Sequence, residues 1–409
     1  MSNPWPNHSP SPVAELAVPS PDDPVLADAA AGWRSAYVHI PFCRRRCPYC
    51  DFAVVAGDEW ARRSDDPTDR YVDAVVGEIA MEEPWGPLDA VNLGGGTPTA
   101  LSADQLGRVL DAVAERFGIA PGAEVSIEAN PEDWDQNAWA DLVAIGFTRV
   151  SLGVQSFDPV VLAALGRSHH PKMAAAAVAG ARRVGLGSVS LDLIYGSEAE
   201  TPASWAATVA TALRLDPDHL SGYALTVERG TELSRRVGAG LAAAPDPDHQ
   251  ADAYELLLAA ATAAGLVHYE VSNFATPGHP CRYNMATWAQ GEYLGFGLGA
   301  HGHGSGVRTR NLRRLDAYLD AVEQGRRPRA GAETQPAWGR EQERLILGLR
   351  RRAGVVAGAI GDTLERSHKG RRLTAAGVLA RHHDRLVVAR PLLTDEVSRA
   401  VLSLSADDC

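Results

Sequence analysis

From Ser35 onward the chain alternates short runs of β-type residues with amphipathic helical segments, and this regularity limits its possible folds more than any other feature. The runs are SAYVHI (35–40), LDAVNL (88–93), EVSIEA (124–129), TRVSLG (148–153), SVSLDLI (188–194) and HLSGYAL (219–225). Strands separated by helices pair in parallel, because each crossover returns the chain to the same end of the sheet. Six such units predict an open or incomplete (β/α)6-type barrel, with a doubly wound sheet as the alternative. Either fold binds ligands at the C-terminal ends of its strands. The sequences following strands one to five are PFC, GGGTP, EANP, VQSF and YG, the most chemically loaded segments of this region. A capping box, Ser102 with Gln105 three residues on, opens one helix, and Gly146 stops the helix that ends at Ile145.

Composition divides the rest. Residues 1–32 are rich in Pro, Ser, Ala and Asp, lack the marks of a secretory or transit signal, and read as a disordered N-terminal extension. Residues 33–265 carry the barrel. Residues 266–334 are Gly-rich, with YEVSNFATPGHPCRYNMATW and GFGLGAHGHGSGVRTRN. Residues 335–409 read as helices followed by a short strand pair, a small helical or winged-helix-like domain. The net charge of −12 argues against nonspecific nucleic-acid binding, which needs a basic surface, while local arginines can still hold an anionic small molecule. No apolar run approaches the ~20 residues of a membrane span. Five cysteines, three of them clustered, are no disulfide framework. They predict a cytoplasmic, reducing setting and metal or redox chemistry.

The cluster is CRRRCPYC, with Cys43, Cys47 and Cys50 spaced C-x3-C-x2-C. Thiolates suit soft metals, so zinc and an iron–sulfur cluster both come into question. Zinc needs a fourth ligand, and His39 is near in sequence. The spacing matches neither ferredoxin runs nor the paired C-x2-C knuckles of zinc ribbons. A four-iron cluster on three cysteines leaves one iron open to an outside ligand, which gives a chemical reason for three thiols rather than four. GGGTPT (94–99) lacks the lysine of a phosphate loop, and its glycines let bare backbone approach a ligand.

With Tyr49 as its aromatic residue, CRRRCPYC resembles the signature of radical S-adenosylmethionine (SAM) enzymes. In that superfamily the open iron holds the methionine end of SAM, and an electron from the cluster cleaves the sulfonium to a 5′-deoxyadenosyl radical. GGGTPT resembles the segment that binds the methionine amino group, and Tyr37 the residue that meets the cofactor before the cysteine loop. SIEANP, GVQSF, LGR and LDLIYG are similar, in order and spacing, to coproporphyrinogen-dehydrogenase-like members. The resemblance implies a [4Fe–4S] cluster on Cys43, Cys47 and Cys50. It implies SAM at Tyr37, Tyr49, Gly95, Gly96, Thr97, Glu128, Gln155, Arg167 and Asp192.

Two branches share these motifs. Oxygen-independent coproporphyrinogen III dehydrogenases, which decarboxylate two propionates oxidatively, carry a further cysteine two residues after the third. This chain has Phe52 there. CPYCDF, YEVSNFA, PGHPCRYN, GAHG and LTDEV instead resemble HemW-type haem chaperones. The branch normally shows HNxxYW, whereas this chain reads YNMATW, with Tyr283 at the histidine position and Thr287 at the tyrosine position. Tyr283 and His301 are the haem-ligand candidates, with His279, Cys281 and His303 nearby. The resemblance implies a protein that binds the cluster, SAM and haem and delivers haem to an acceptor protein, served by a reductant. The dehydrogenase activity is the alternative.

Overall fold

The computed structural model describes residues 28–57, 66–133 and 136–405. Its centre is six strands, β1 (Ser35–Ile40), β2 (Leu88–Gly95), β3 (Ile119–Ala129), β4 (Arg149–Gln155), β5 (Ser188–Tyr195) and β6 (His219–Ala224). They pair in chain order, each parallel to the next. Between them lie α1 (Thr68–Met81), α2 (Ala103–Phe117), α3 (Gln136–Ile145), α4 (Pro171–Arg183) and α5 (Pro202–Arg214). A doubly wound sheet reverses its strand order at a switch point; this one does not. The six strands do not close on themselves, so the barrel is incomplete, as expected.

Sequence pattern explains these elements. In α2 the buried residues Leu106, Val109, Leu110, Val113 and Phe117 recur at helical spacing, and the Ser102–Gln105 capping box forms. Gly146, at φ +113°, ends α3. β5 is buried along nearly its whole length because helices cover one face and the barrel interior lies on the other. Each fully buried Leu or Val contributes about 1.5–3 kcal/mol.

The ends of the strands differ from expectation where function is concentrated. β2 runs on to Gly95 and β4 to Gln155. Gly94 and Gly95 are poor strand formers in isolation. Parallel pairing with His39 and Ile40 of β1 carries the ladder through them.

The Gly-rich segment forms strands that periodicity did not reveal. β7 (Val267–Glu270) and β8 (Asn273–Ala275) extend the sheet beyond β6. At the other edge, β9 (Tyr293–Phe296) lies parallel to β1. It leads into antiparallel β10 (His301–Gly304), β11 (Val307–Asn311) and β12 (Arg329–Thr334). A Cβ on Gly295 would sit 1.9 Å from the His301 carbonyl oxygen, so glycine is what lets β9 and β10 approach. After β6 come α6 (Pro247–Ala263), α7 (Arg282–Trp288) and α8 (Leu315–Glu323).

The C-terminal region has its own core, including Leu345, Leu364, Leu386 and Val397. Four helices surround a three-stranded antiparallel sheet, Val355–Val356 adding a strand to the expected pair Leu379–His382 and Arg385–Val388. The N-terminal boundary also moves. Asp28–Gly32, expected within the disordered extension, form a 3₁₀ helix, because Ala30 packs into a pocket with Tyr269 and Met285. Residues 1–27 of that extension, and Cys409, lie outside the described residues. Among the described residues no helix is long and apolar enough to cross a membrane.

At the N-terminal ends of the strands, the segment before α7 plugs the barrel. Arg149, 3% exposed, pairs with Glu124 at 3.4 Å and donates to the His279 carbonyl at 2.9 Å. Glu124 also accepts from the Arg282 amide at 3.0 Å. Removing one member of a buried pair strands the other charge, so Arg149→Leu is expected to cost about 3–5 kcal/mol. Urea unfolding of the variant beside wild type measures this, and a loss below about 1 kcal/mol would show that the plug is not held by this pair.

Candidate functional site

The cysteine loop leaves β1 and is clasped at both ends by a two-residue parallel pairing of Phe42–Cys43 with Val55–Ala56. Inside it, the Cys50 amide donates to the Cys47 carbonyl at 3.1 Å, and Arg46 Nη2 donates to the Val54 carbonyl at 2.5 Å. The three thiols are unbridged and partly buried. Thr97 Oγ1 donates to Cys43 Sγ at 3.7 Å, and Arg167 Nη1 lies 4.0 Å from Cys47 Sγ. Burial pushes the Cys43 thiol up to about 11, with the Thr97 hydroxyl working against it, and burial also raises Cys50.

His39, the fourth ligand a zinc site would need, is committed elsewhere. Its Nε2 donates to the Ala53 carbonyl at 2.9 Å, which leaves Nδ1 to accept from the Tyr37 hydroxyl at 3.1 Å. Burial lowers its pKa to about 4, so the ring is neutral. Among the described residues no three His, Cys, Asp or Glu side chains are grouped to hold one metal ion. A four-iron cluster makes no such demand, since each thiolate meets its own iron.

The glycine loop after β2 is built for close approach. A Cβ on Gly94 would lie 2.5 Å from the Glu128 carboxylate, and one on Gly96 would lie 2.7 Å from the Pro41 carbonyl. Gly95 holds φ +113° with the His39 ring against it. The amides of this loop are already used. Gly95 N–H donates to Glu128 Oε2 at 3.0 Å, Gly96 N–H to the Ile40 carbonyl at 2.8 Å, and Thr97 N–H to the Phe42 carbonyl at 2.9 Å. An anion-binding loop would aim those donors at its ligand. With those amides committed inward, the loop is not an anion cradle.

The remaining strand ends converge on the same space. Burial raises Glu128 to about 7, helped by the nearby Asp192 carboxylate. Asp192 is itself raised by burial, and it accepts from Ser151 at 2.7 Å and Ser190 at 3.4 Å. Gln155 sits at φ +63° where the β4–β5 register shifts, a strained position at the rim. Arg167 Nη2 donates to Asn130 Oδ1 and to the Gly153 carbonyl, while its buried Nε has no partner. An unsatisfied buried guanidinium donor beside Cys47 fits the carboxylate of a missing ligand. The residues present thus fit both a cluster and an amino-acid-ended cofactor.

The tyrosines and the other haem-ligand candidates divide between this space and its surroundings. Tyr49 packs outward on Val161, Leu165 and Ile194, bracing the loop beside Cys47. Tyr283 reaches from α7 into the barrel, stacked on Tyr37 at 6.0 Å between centroids and edge-on to Tyr293 at 6.0 Å. It therefore lies against Tyr37 in the space where the expected SAM residues converge, and burial holds its phenol well above the ordinary value. His301 is not in that group. It is exposed on β10, with its imidazole kept neutral by partial burial and by Arg310 and Arg313. Cys281 is buried, with its backbone amide donating to the Tyr269 hydroxyl at 3.3 Å. Sequence reasoning missed Tyr223, whose neighbours include Asp192 and Glu128. The alternation through HLSGYAL, which puts Ser221 and Tyr223 on one face, was the available signal.

The family model of the radical SAM superfamily matches residues 37–212, the span that contains the three clustered cysteines, the glycine loop, Glu128, Gln155, Arg167 and Asp192. The Heme chaperone HemW of Mycobacterium tuberculosis is 41% identical over 373 residues, 90% of this chain and 94% of that protein. The protein of the same name from Bacillus subtilis is 34% identical over 82% of this chain and 88% of its own length. Among solved structures, coproporphyrinogen III oxidase (HemN) from Escherichia coli superposes with a TM-score of 0.78 over 93% of this chain and 92% of its own. At 24% identity that match speaks for the fold alone. The chain belongs to the HemW family within the radical SAM superfamily.

Proposed function

We propose that this protein binds haem beside a [4Fe–4S] cluster and SAM, and hands the haem to an acceptor protein. The observation that carries this reading is the near full-length similarity to proteins named Heme chaperone HemW, and the convergence of the expected residues on one space supports it. Cys43, Cys47 and Cys50 would hold the cluster. Tyr37, the Gly95–Thr97 backbone, Glu128, Gln155, Arg167 and Asp192 would hold SAM. When bound, the two groups together supply one-electron radical chemistry. Arg167 offers its free donor to the methionine carboxylate, and Glu128 sets a negative charge near the cofactor's cationic end. Neutral His39 accepts from Tyr37 and so fixes the phenol that backs the pocket. Delivery needs an acceptor and a reductant in the same compartment, and the clustered, unbridged cysteines support a reducing, cytoplasmic one.

Phe52, where the dehydrogenases have cysteine, speaks against coproporphyrinogen III as substrate. Reduced, SAM-loaded protein is expected to leave coproporphyrinogen III unchanged in an anaerobic assay while binding haem in a parallel titration. Turnover to protoporphyrinogen IX would defeat this reading in favour of the dehydrogenase.

The two haem-ligand candidates change order. Tyr283 is enclosed against Tyr37, and burial disfavours the tyrosinate that ferric iron prefers. His301 offers an exposed, neutral imidazole, the form that ligates iron. We expect His301→Ala to weaken haem binding at least ~10-fold, about 1.4 kcal/mol. Tyr283→Phe should shift the Soret band little. A Soret band lost in Tyr283→Phe and retained in His301→Ala would restore the original order.

A further inference from the structure

Outside the cysteine loop, away from the SAM residues, lies a cavity of about 380 Å³. Its walls come from the loop after β1, the turn after β6 and the start of α8, and it abuts Cys50. Four guanidiniums line it: Arg46, Arg229, Arg313 and Arg314. Arg46 and Arg313 spend one donor each on loop carbonyls, those of Val54 and of Asp51 at 2.8 Å. None of the four is in an ion pair among the described residues, although Asp51 and Asp316 also line the space. All four side chains are exposed, in a chain of net charge −12. Thr231 adds a hydroxyl, and the apolar part of the lining is Phe52, 56% exposed, with Leu298 and Leu315.

Arginines outside any ion pair, around a hollow with the exposed Phe52 ring at its side, suit a ligand that carries carboxylates on one edge of an apolar body; a guanidinium can grip a carboxylate through two parallel hydrogen bonds. The volume is at the small end of ligand pockets, enough for one edge of a macrocycle. A docking face for an acidic protein would be a flat ring of charge; this site is concave.

Resting on the haem-binding reading above, we propose that this cavity seats the propionate edge of haem, with Arg229, Arg313 and Arg314 on the carboxylates and Phe52 against the ring. The macrocycle then lies beside the cluster loop and outside the SAM pocket, so both ligands can be held at once. His301 lies within electrostatic reach of Arg313, which brings the favoured iron ligand to the same side of the molecule.

The test uses full-length, anaerobically reconstituted protein titrated with hemin and with hemin dimethyl ester, whose propionates are masked. Wild type should bind hemin at least ~10-fold more tightly than the ester. R229A/R314A should bring hemin down to the ester's affinity while leaving the ester's affinity and the cluster absorption unchanged. Equal binding of both ligands by wild type, or full hemin affinity in the double variant, would overturn the proposal and leave haem binding itself intact. Wild type that binds neither ligand would remove the underlying reading as well. If the double variant binds hemin normally but its cluster is reduced more slowly by a flavodoxin, with dithionite reduction unchanged, the arginines dock an electron donor and the proposal falls.

Discussion

Replacing any one of Cys43, Cys47 and Cys50 with alanine is expected to take the reconstituted protein from about four irons per chain to almost none. Three thiolates are the whole protein contribution to such a cluster, and among the described residues the one further cysteine, Cys281, lies outside the loop. Cys281 is buried below the SAM pocket, its amide bonded to the Tyr269 hydroxyl, so Cys281→Ala should keep its full complement. The clasp of Phe42–Cys43 on Val55–Ala56 is backbone pairing, so the loop should survive each substitution and only the metal should be lost. Burial holds Cys43 up to about 11 and also raises Cys50, so cluster assembly must displace protons from these two thiols. Iron and acid-labile sulfide analysis, with the broad thiolate-to-iron absorption, measures all four variants. Stoichiometric zinc without sulfide in wild type would point to a different metal centre.

SAM affinity should fall at least ~10-fold, about 1.4 kcal/mol, in Glu128→Ala and in Asp192→Ala, with the cluster retained in both. Each carboxylate is raised by burial, and each is held by hydrogen bonds, Glu128 from the Gly95 amide and Asp192 from the Ser151 hydroxyl, so removal opens the pocket and deletes a negative charge. SAM carries a net positive charge, which favours ionised Glu128. With its pKa raised to about 7, Glu128 is largely protonated in the empty site below that pH and must lose a proton to bind. Affinity should therefore climb about tenfold per pH unit up to roughly pH 7 and level off above it. Glu128→Gln should flatten that profile. Calorimetric titration across pH 5.5–8.5 decides the matter: a wild-type affinity independent of pH, or unchanged binding in both alanine variants, would show that these carboxylates do not face the cofactor.

The difference between what was legible early and what was not follows the range of the interactions. β1 matches SAYVHI residue for residue, because alternating and continuous apolar runs, capping at Ser102 and the stop at Gly146 act within a few residues. β2 and β4 each run two residues past their expected ends, since Gly94, Gly95 and Gln155 gain their strand geometry from neighbours more than fifty residues or one strand away. The Gly-rich 293–334 segment looked like loop for the same reason. Glycine has no side chain to signal a strand, and only the approach of β10 to Gly295 explains why it is needed there.

The sequence by itself determined the class of chemistry. Spacing put three thiols on one loop, and alternation put Glu128, Gln155 and Asp192 at strand ends, because both depend only on local repeat lengths. Tertiary structure alone decided the commitments of individual groups. His39 is bound to Tyr37 and Ala53 and so is no zinc ligand, Tyr49 braces the loop from outside, and Tyr283 is folded against Tyr37 while His301 faces out. These outcomes rest on which side chains meet across distant strands and on how far burial shifts their protonation, and neither is written in the neighbours along the chain.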